Sequence, residues 1–146
     1  MITGGCSGLG LGTARHLIQM GARVILLDIN EENGEKAIKE LGPSKAYFIK
    51  ADVSNEEDIK AAYEKAGTIF TPPRIYVHSA GIGYAEMIAT SKSLHRTKAF
   101  QLVVTINLIG TFLCCKYAAN ALRSLPVEGR ERGVIINVSS VAATEG

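Results

Sequence analysis

The chain has 146 residues, 47% apolar and 21% charged, without tryptophan, enough for one domain with a core and too few for two. Sixteen Lys and Arg against fourteen Asp and Glu leave a net charge of +2, which excludes a strongly basic nucleic-acid binder and an acidic disordered tail. No apolar run approaches the roughly 18 residues of a membrane span, and no charged-then-apolar signal sequence opens the chain.

The three cysteines, Cys6 and the adjacent Cys114 and Cys115, form no disulfide framework, so a reducing compartment is expected, the cytoplasm or the mitochondrial matrix. Neither nucleic acid nor a membrane is an expected partner.

In chain order, a glycine-rich turn from Thr3 leads into a helix over about Gly8–Met20, with Leu9, Ala14, Leu17 and Ile18 on its apolar face and Gly21 as its stop. The run RVILLD at Arg23–Asp28 reads as a strand. A second helix follows Asn30 as N-cap and ends at Leu41, before Gly42-Pro43. Ala46–Lys50 is the next strand. Ser54-Asn55-Glu56-Glu57 has the spacing of a capping box for a third helix that stops near Gly67. Arg74–His78 and Gly133–Val138 are two further strands, separated by a long apolar helix from about Lys98 to Ser124 that ends before Pro126. Ile82–Thr97 and Leu125–Arg132 read as surface insertions.

The strands are short apolar runs without clean alternation, as in a parallel sheet covered on both faces. Strand and helix alternate along the whole chain, which predicts right-handed crossovers and a doubly wound parallel α/β sheet. Only Met1 and Ile2 precede the glycine turn, yet in a sheet ordered 3-2-1-4-5 that first strand lies in the middle. A gap there would leave buried backbone groups unpaired. The expectation is that residues 1–146 form one partial domain of a longer chain, lacking most of strand 1 and everything after strand 5.

Thr3-Gly4-Gly5-Cys6-Ser7-Gly8-Leu9-Gly10 places glycines at 4, 8 and 10 directly before a helix. Gly4 suits a tight turn, Gly8 allows the backbone close to a pyrophosphate, and Gly10 allows the helix against the sheet. The helix N-terminus adds free amides and positive dipole. Cys6 lies near that N-terminus, where a thiolate would be stabilised.

Asp28, 18 residues beyond Gly10 at the end of its strand, can accept from both hydroxyls of an adenosine ribose. A 2′-phosphate would meet like charge there, and neither the glycine turn nor Ile29-Asn30 carries an Arg or Lys to offset it. NAD is therefore predicted over NADP. Asp52 has two readings: it accepts from the adenine amino group with Val53 on the ring, or it is a loop residue beside Ser54.

With these features in place, the chain resembles the short-chain dehydrogenase/reductase family over essentially all its length, and the resemblance implies a Rossmann fold. TGGCSGLG fits the family's TGxxxGxG, with Gly4, Ser7, Gly8, Leu9 and Gly10 as cofactor contacts. Asp28 matches its NAD-selecting acid, Asp52-Val53 its adenine contact, and Ala80-Gly81 its turn after strand 4. Asn107 falls on a helix Asn of the catalytic tetrad and Ser140 on the catalytic Ser after strand 5.

Within the family, Arg132–Asn137, Ser140–Gly146 and the extended loop after Ile82 resemble type 2 3-hydroxyacyl-CoA dehydrogenases. The chain departs from the family twice. His78 stands where an Asn supports the central sheet, and reads as a buried structural imidazole. The Tyr-x-x-x-Lys pair is absent: Tyr47, Tyr63, Tyr76, Tyr84 and Tyr117 are each followed at i+4 by another residue. The family places that pair a little beyond Ser140.

Carbonyl reduction needs an acid near the carbonyl and a donor for the developing alkoxide. The resemblance implies that Ser140 binds the substrate oxygen, and that Asn107 positions a water on the Lys of the absent pair. It further implies hydride transfer between NAD(H) and a secondary alcohol or ketone, a 3-hydroxyacyl-CoA or a hydroxysteroid, and a homotetramer or dimer paired through the long helix. Ser139 and Ser140 are one position apart, and a one-residue shift reverses the face a strand residue occupies, so only one of them can face the cofactor, with Ser140 the expected one. An alternative from another class is a dinucleotide-binding module without catalysis, since the Tyr-Lys pair is missing. No metal site is expected.

Overall fold

The computed structural model describes residues 1–145. Five parallel strands lie in the order β3-β2-β1-β4-β5, as the alternation of elements predicts. They are β1 (Ile2–Thr3), β2 (Val24–Asp28), β3 (Ala46–Lys50), β4 (Ile75–His78) and β5 (Val134–Asn137). The helices are α1 (Gly8–Gln19), α2 (Glu31–Leu41), α3 (Glu56–Ile69), α4 (Thr97–Val103), α5 (Thr111–Arg123) and the short α6 (Ala142–Glu145).

Burial follows position in the sheet. In β2 the run Val24–Leu27 is buried throughout, and its residues alternate between two cores. Ile25 and Leu27 join Ile59, Tyr63 and Ala118 beneath α3 and α5, while Val24 and Leu26 join Ala14 and Ala37 beneath α1 and α2. Both faces being covered explains the unbroken apolar run. The expectation of full cover fails at the sheet edges: Tyr47 on β3 and Val134 and Ile136 on β5 are exposed.

The two-residue β1 still bridges the sheet. Ile2 and Thr3 pair with Leu26 and Leu27 on one side and with Val77 and His78 on the other. Met1 extends the bridge, its amino group donating to the Ile75 carbonyl at 2.8 Å and its carbonyl accepting from Val77 N–H at 2.9 Å.

Helix ends follow the local chemistry with one correction. Asn30 caps α2 by accepting from Asn33 N–H at 2.9 Å, and Gly21 and Gly42, both at φ 91°, follow the ends of α1 and α2. The predicted capping box at Ser54 does not form. Asn55 is the N-cap of α3, accepting from Glu57 and Asp58 N–H, while Ser54 turns back to Asp52. The asparagine amide is one position nearer the free N–H groups and displaces the serine.

The long helix is continuous over Thr97–Arg123 but carries a π-helical segment at Val104–Gly110, between α4 and α5. By length and composition it could cross a bilayer, contrary to the expectation from apolar runs. In this fold α5 packs on the sheet, burying Leu113, Cys114, Ala118 and Leu122, whereas α4 buries none of its residues.

The two predicted insertions are ordered. Within 82–97 an antiparallel bridge joins Ala89 to Leu94, and Glu86 accepts from Arg96 N–H at 3.0 Å. Within 125–132, Arg74 ties down the carbonyls of Pro126 and Arg132. Gly146 lies outside the described residues.

Candidate functional site

Strand order reverses between β1 and β4, and in open α/β sheets ligands bind at the carboxyl ends of the strands beside such a reversal. Two adjoining clefts open there. The first, about 530 Å³, is lined by the glycine turn, the ends of β2 and β3, and Ser79–Ile82. The second, about 420 Å³, shares Ser79–Ile82 and adds Asn107, Thr111, Val138, Ser139 and Ser140. A larger cavity of about 670 Å³ lies at the opposite ends of the strands, among Leu17, Phe70, Pro72, Pro73 and Leu125. It is mainly apolar and far from the glycine turn, so the paired clefts are the candidate site.

The glycine turn is built by close backbone approach. Gly4 (φ 61°) and Gly8 (φ 48°) occupy left-handed conformations that side chains disfavour. A Cβ on Gly4 would stand 2.8 Å from Ala80 Cα; one on Gly10 would strike the Gly4 carbonyl and lie 2.7 Å from Ser79 Oγ. A Cβ on Gly8 would meet nothing within 4 Å, so this position faces open space at the N-terminus of α1. Thr3 anchors the turn, its carbonyl accepting from Ser79 Oγ at 2.6 Å and its hydroxyl from Ala80 N–H at 3.3 Å.

Asp28 is tied to this turn. Oδ2 accepts from Cys6 N–H at 3.2 Å and Oδ1 from Asn30 N–H at 3.1 Å, which orients a carboxylate with acceptor capacity to spare. The same contact corrects the reading of Cys6. The thiol is buried, and burial together with Asp28 pushes its pKa up to about 12, so it stays protonated.

Leu9, expected on the buried face of α1, is 72% exposed and lines the first cleft. Ser7, Asp52, Val53, Ala80 and Gly81 line it too. Asp52 Oδ1 also accepts from Ser54 N–H and Oγ at 2.9 and 2.7 Å, the contacts of the loop reading. Val53 packs against Gly110, where a Cβ would lie 2.9 Å from its Cγ2. That contact lets the π-helical segment approach the cleft.

Asn107 sits in that segment, and its amide brackets one residue of the loop. Ile82 N–H donates to Oδ1 at 2.9 Å and Nδ2 donates to the Ile82 carbonyl at 2.8 Å. Ser139 and Ser140 both line the second cleft. The expectation that one would turn away assumed a continuing strand, whereas β5 ends at Asn137. Ser140 Oγ accepts from Ala142 N–H at 3.2 Å.

His78 is 4% exposed and fully bonded: Nδ1 faces Asn137 Oδ1 at 2.9 Å and Nε2 faces Tyr63 Oη at 3.0 Å. Burial holds its pKa below the ordinary 6.5 and raises that of Tyr63, so both are neutral. The expected structural imidazole is what the structure shows. Cys114 is a core filler, as expected, while Cys115 is half-buried and donates to Asn137 Oδ1 at 3.4 Å.

Sequence reasoning missed Ile29, Ile82, Leu102, Ile106 and Thr111 as lining residues. Two signals were available. Leu102 and Ile106, like Asn107 and Thr111, are spaced four apart on one helix face. Ile29 follows Asp28 and is 62% exposed.

Comparison with known proteins matches this architecture. The short chain dehydrogenase family model matches residues 1–146. The 3-hydroxyacyl-CoA dehydrogenase type-2 of Bos taurus is 44% identical over the whole chain, and that of Drosophila melanogaster 39%. The chain spans 57% and 58% of their lengths. The crystal structure of 3-hydroxyacyl-CoA dehydrogenase type-2 from Mycobacterium avium superposes with a TM-score of 0.88 at 30% identity, covering 97% of this chain and 56% of that one. The chain belongs to the short-chain dehydrogenase family.

Proposed function

We propose that this chain is the cofactor-binding portion of an NAD-dependent oxidoreductase that interconverts a secondary alcohol and a ketone, with 3-hydroxyacyl-CoA as the substrate class. One observation carries the reading: a glycine-walled cleft ending at Asp28 opens directly into a second cleft bearing Asn107 and Ser140. The first fits a dinucleotide. Gly8 leaves room for a diphosphate at the α1 N-terminus, and Asp28 offers an oriented carboxylate to a ribose diol. A 2′-phosphate would face that carboxylate, which favours NAD over NADP.

Bound NAD supplies hydride chemistry at its nicotinamide carbon; the chain's own residues hold and orient. Ser7, Gly8, Leu9 and Gly10 cradle the diphosphate, while Asp52, Val53 and Ala80-Gly81 line the rest of the cofactor cleft. Ser140 donates its hydroxyl proton in a hydrogen bond to the substrate oxygen. Asn107 fixes the Ile82 backbone at the mouth of the 82–97 loop. None of the five tyrosines lines the Ser140 cleft, and the proton is assigned to a Tyr-x-x-x-Lys pair elsewhere in the longer protein.

The acyl-CoA reading draws on the type-2 relatives and on charge. The 82–97 loop and the start of the long helix carry Lys92, Arg96 and Lys98 against the single acid Glu86, suiting a substrate with phosphates. Leu108 and Phe112 stand exposed on the long helix and offer a face for a homo-oligomer.

In the full-length protein, NADH should reduce acetoacetyl-CoA, and Ser140→Ala should remove most of the rate, on the order of 100-fold as for loss of one transition-state donor. An unchanged rate would remove Ser140 from the reaction. A second reading, dinucleotide binding without catalysis, is favoured by the tyrosine-free cleft. NADH binding with no turnover on any 3-ketoacyl-CoA or ketosteroid would establish it.

A further inference from the structure

Four side chains from four elements meet in one hydrogen-bonded series that the reaction scheme does not use. Tyr63 on α3 contacts His78 on β4, His78 contacts Asn137 on β5, and Cys115 on α5 closes on Asn137. Tyr63 is held in place by stacking on Tyr76, with ring centroids 5.5 Å apart and planes 4° from parallel.

Donors and acceptors fix the order of the series. Asn137 Oδ1 can only accept, which makes Nδ1 the protonated nitrogen of the neutral ring and leaves Nε2 to accept from the Tyr63 hydroxyl. Nδ1–H then donates to Asn137 Oδ1, and Cys115 Sγ–H donates to the same oxygen. His78 and Asn137 are register partners, and the His78 carbonyl also accepts from Val138 N–H at 2.9 Å. Asn137 is the last residue of β5, and Ser139 and Ser140 follow without ladder support. His78 thus grips the chain by backbone and by side chain at the point where it leaves an exposed edge strand and turns into the second cleft.

We propose that His78 is a positioning residue for Ser140, that its Nδ1–H sets where the chain departs from β5, and that Tyr63 holds the ring in place by donating to Nε2. The inference rests on Ser140 being the substrate-oxygen donor. A hydroxyl misplaced by about 1 Å is enough to lower turnover without weakening the cofactor.

The side-chain geometry supplies a sharp test. Asparagine at 78 puts an amide N–H donor where Nδ1 stands, whereas glutamine puts its amide where Nε2 stands. In the full-length protein, acetoacetyl-CoA reduction by His78→Gln should show kcat lower by about tenfold, with NADH Kd unchanged within about twofold. His78→Asn should recover kcat to within about threefold of the parent. In a Ser140→Ala background His78→Gln should cost nothing further, because two residues acting through one group are not additive. Equal losses in both backgrounds, a parallel loss of NADH affinity, or an Asn variant as impaired as the Gln variant would overturn the proposal.

If His78→Gln does not fold, Tyr63→Phe takes its place, with an expected kcat loss of about threefold that also vanishes in Ser140→Ala. An unchanged rate in Ser140→Ala alone would instead fail the underlying reading, and the positioning role with it. Amide resonances give an answer even without turnover. His78→Gln should move the Ser139 and Ser140 signals and leave Gly8 and Gly10 in place; unmoved serine signals count against the proposal.

Discussion

The first and second clefts share a wall at Ser79–Ile82 but are built by different means. Around the glycine turn, backbone meets backbone: missing side chains at Gly4 and Gly10 let the turn close on Ala80 and Ser79. Around Ser140, side chains do the positioning, through Asn107 on Ile82, His78 on Asn137, and Ser140 itself on Ala142 N–H. Backbone packed this closely at Gly4 and Gly10 tolerates no added atoms. A wall of side-chain hydrogen bonds tolerates steric change better and depends on tautomer and protonation.

That contrast can be broken most severely at Gly10. Gly10→Ala should abolish detectable NADH binding and lower stability by about 3 kcal/mol, the upper range for forcing atoms into a packed site; calorimetry and titration would show both. Near-normal binding by this variant would mean that the turn is not closed as described. Asp28→Ala should come next, weakening NADH on the order of 50-fold through lost bonds to a charged acceptor while narrowing discrimination against NADPH. Fluorescence titration of both cofactors measures it.

Asn107→Ala, on the other side of the shared wall, should leave NADH affinity alone and lower turnover by about tenfold, by releasing the Ile82 backbone from its two amide contacts. Comparable losses in binding and turnover would erase the distinction between the clefts.

The smallest expected effect is the dependence of stability on pH. His78 is buried and neutral, with its folded pKa below the ordinary 6.5. The unfolded state therefore binds the extra proton first. His78 leaves stability unchanged above the unfolded value, and stability should decline as pH falls through and below about 6.5 toward the depressed folded pKa. His78→Asn should flatten that decline in thermal melts, whereas an unchanged slope would place the titrating group elsewhere.

The same contrast sets what could be read from the sequence. Glycine spacing, an acid ending a strand, and strand-helix alternation are local patterns with physical meaning at fixed offsets. They gave the strand order, the first cleft and Asp28 directly. Asn55 rather than Ser54 as cap is a competition decided by one residue's offset, which composition does not resolve. The π-helical segment at Val104–Gly110 was not legible, and neither was the bond from Asn107 within it to Ile82, 25 residues away in sequence. The Tyr63–His78–Asn137 series joins residues 15 and 59 apart, and no local pattern announces it. Ser139 facing the cleft depended on where β5 ends, and strand boundaries are the least legible feature of a sequence.

If Asp28 receives an unphosphorylated dinucleotide ribose in the first cleft, the two nicotinamide cofactors should differ sharply in affinity. Parallel titrations of the full-length protein with NADH and NADPH, followed by cofactor fluorescence at one ionic strength, test it most directly. NADH should bind tighter than NADPH by at least about tenfold, the value of one hydrogen bond to a charged group. Equal affinities, tighter binding of NADPH, or no binding of either would contradict it.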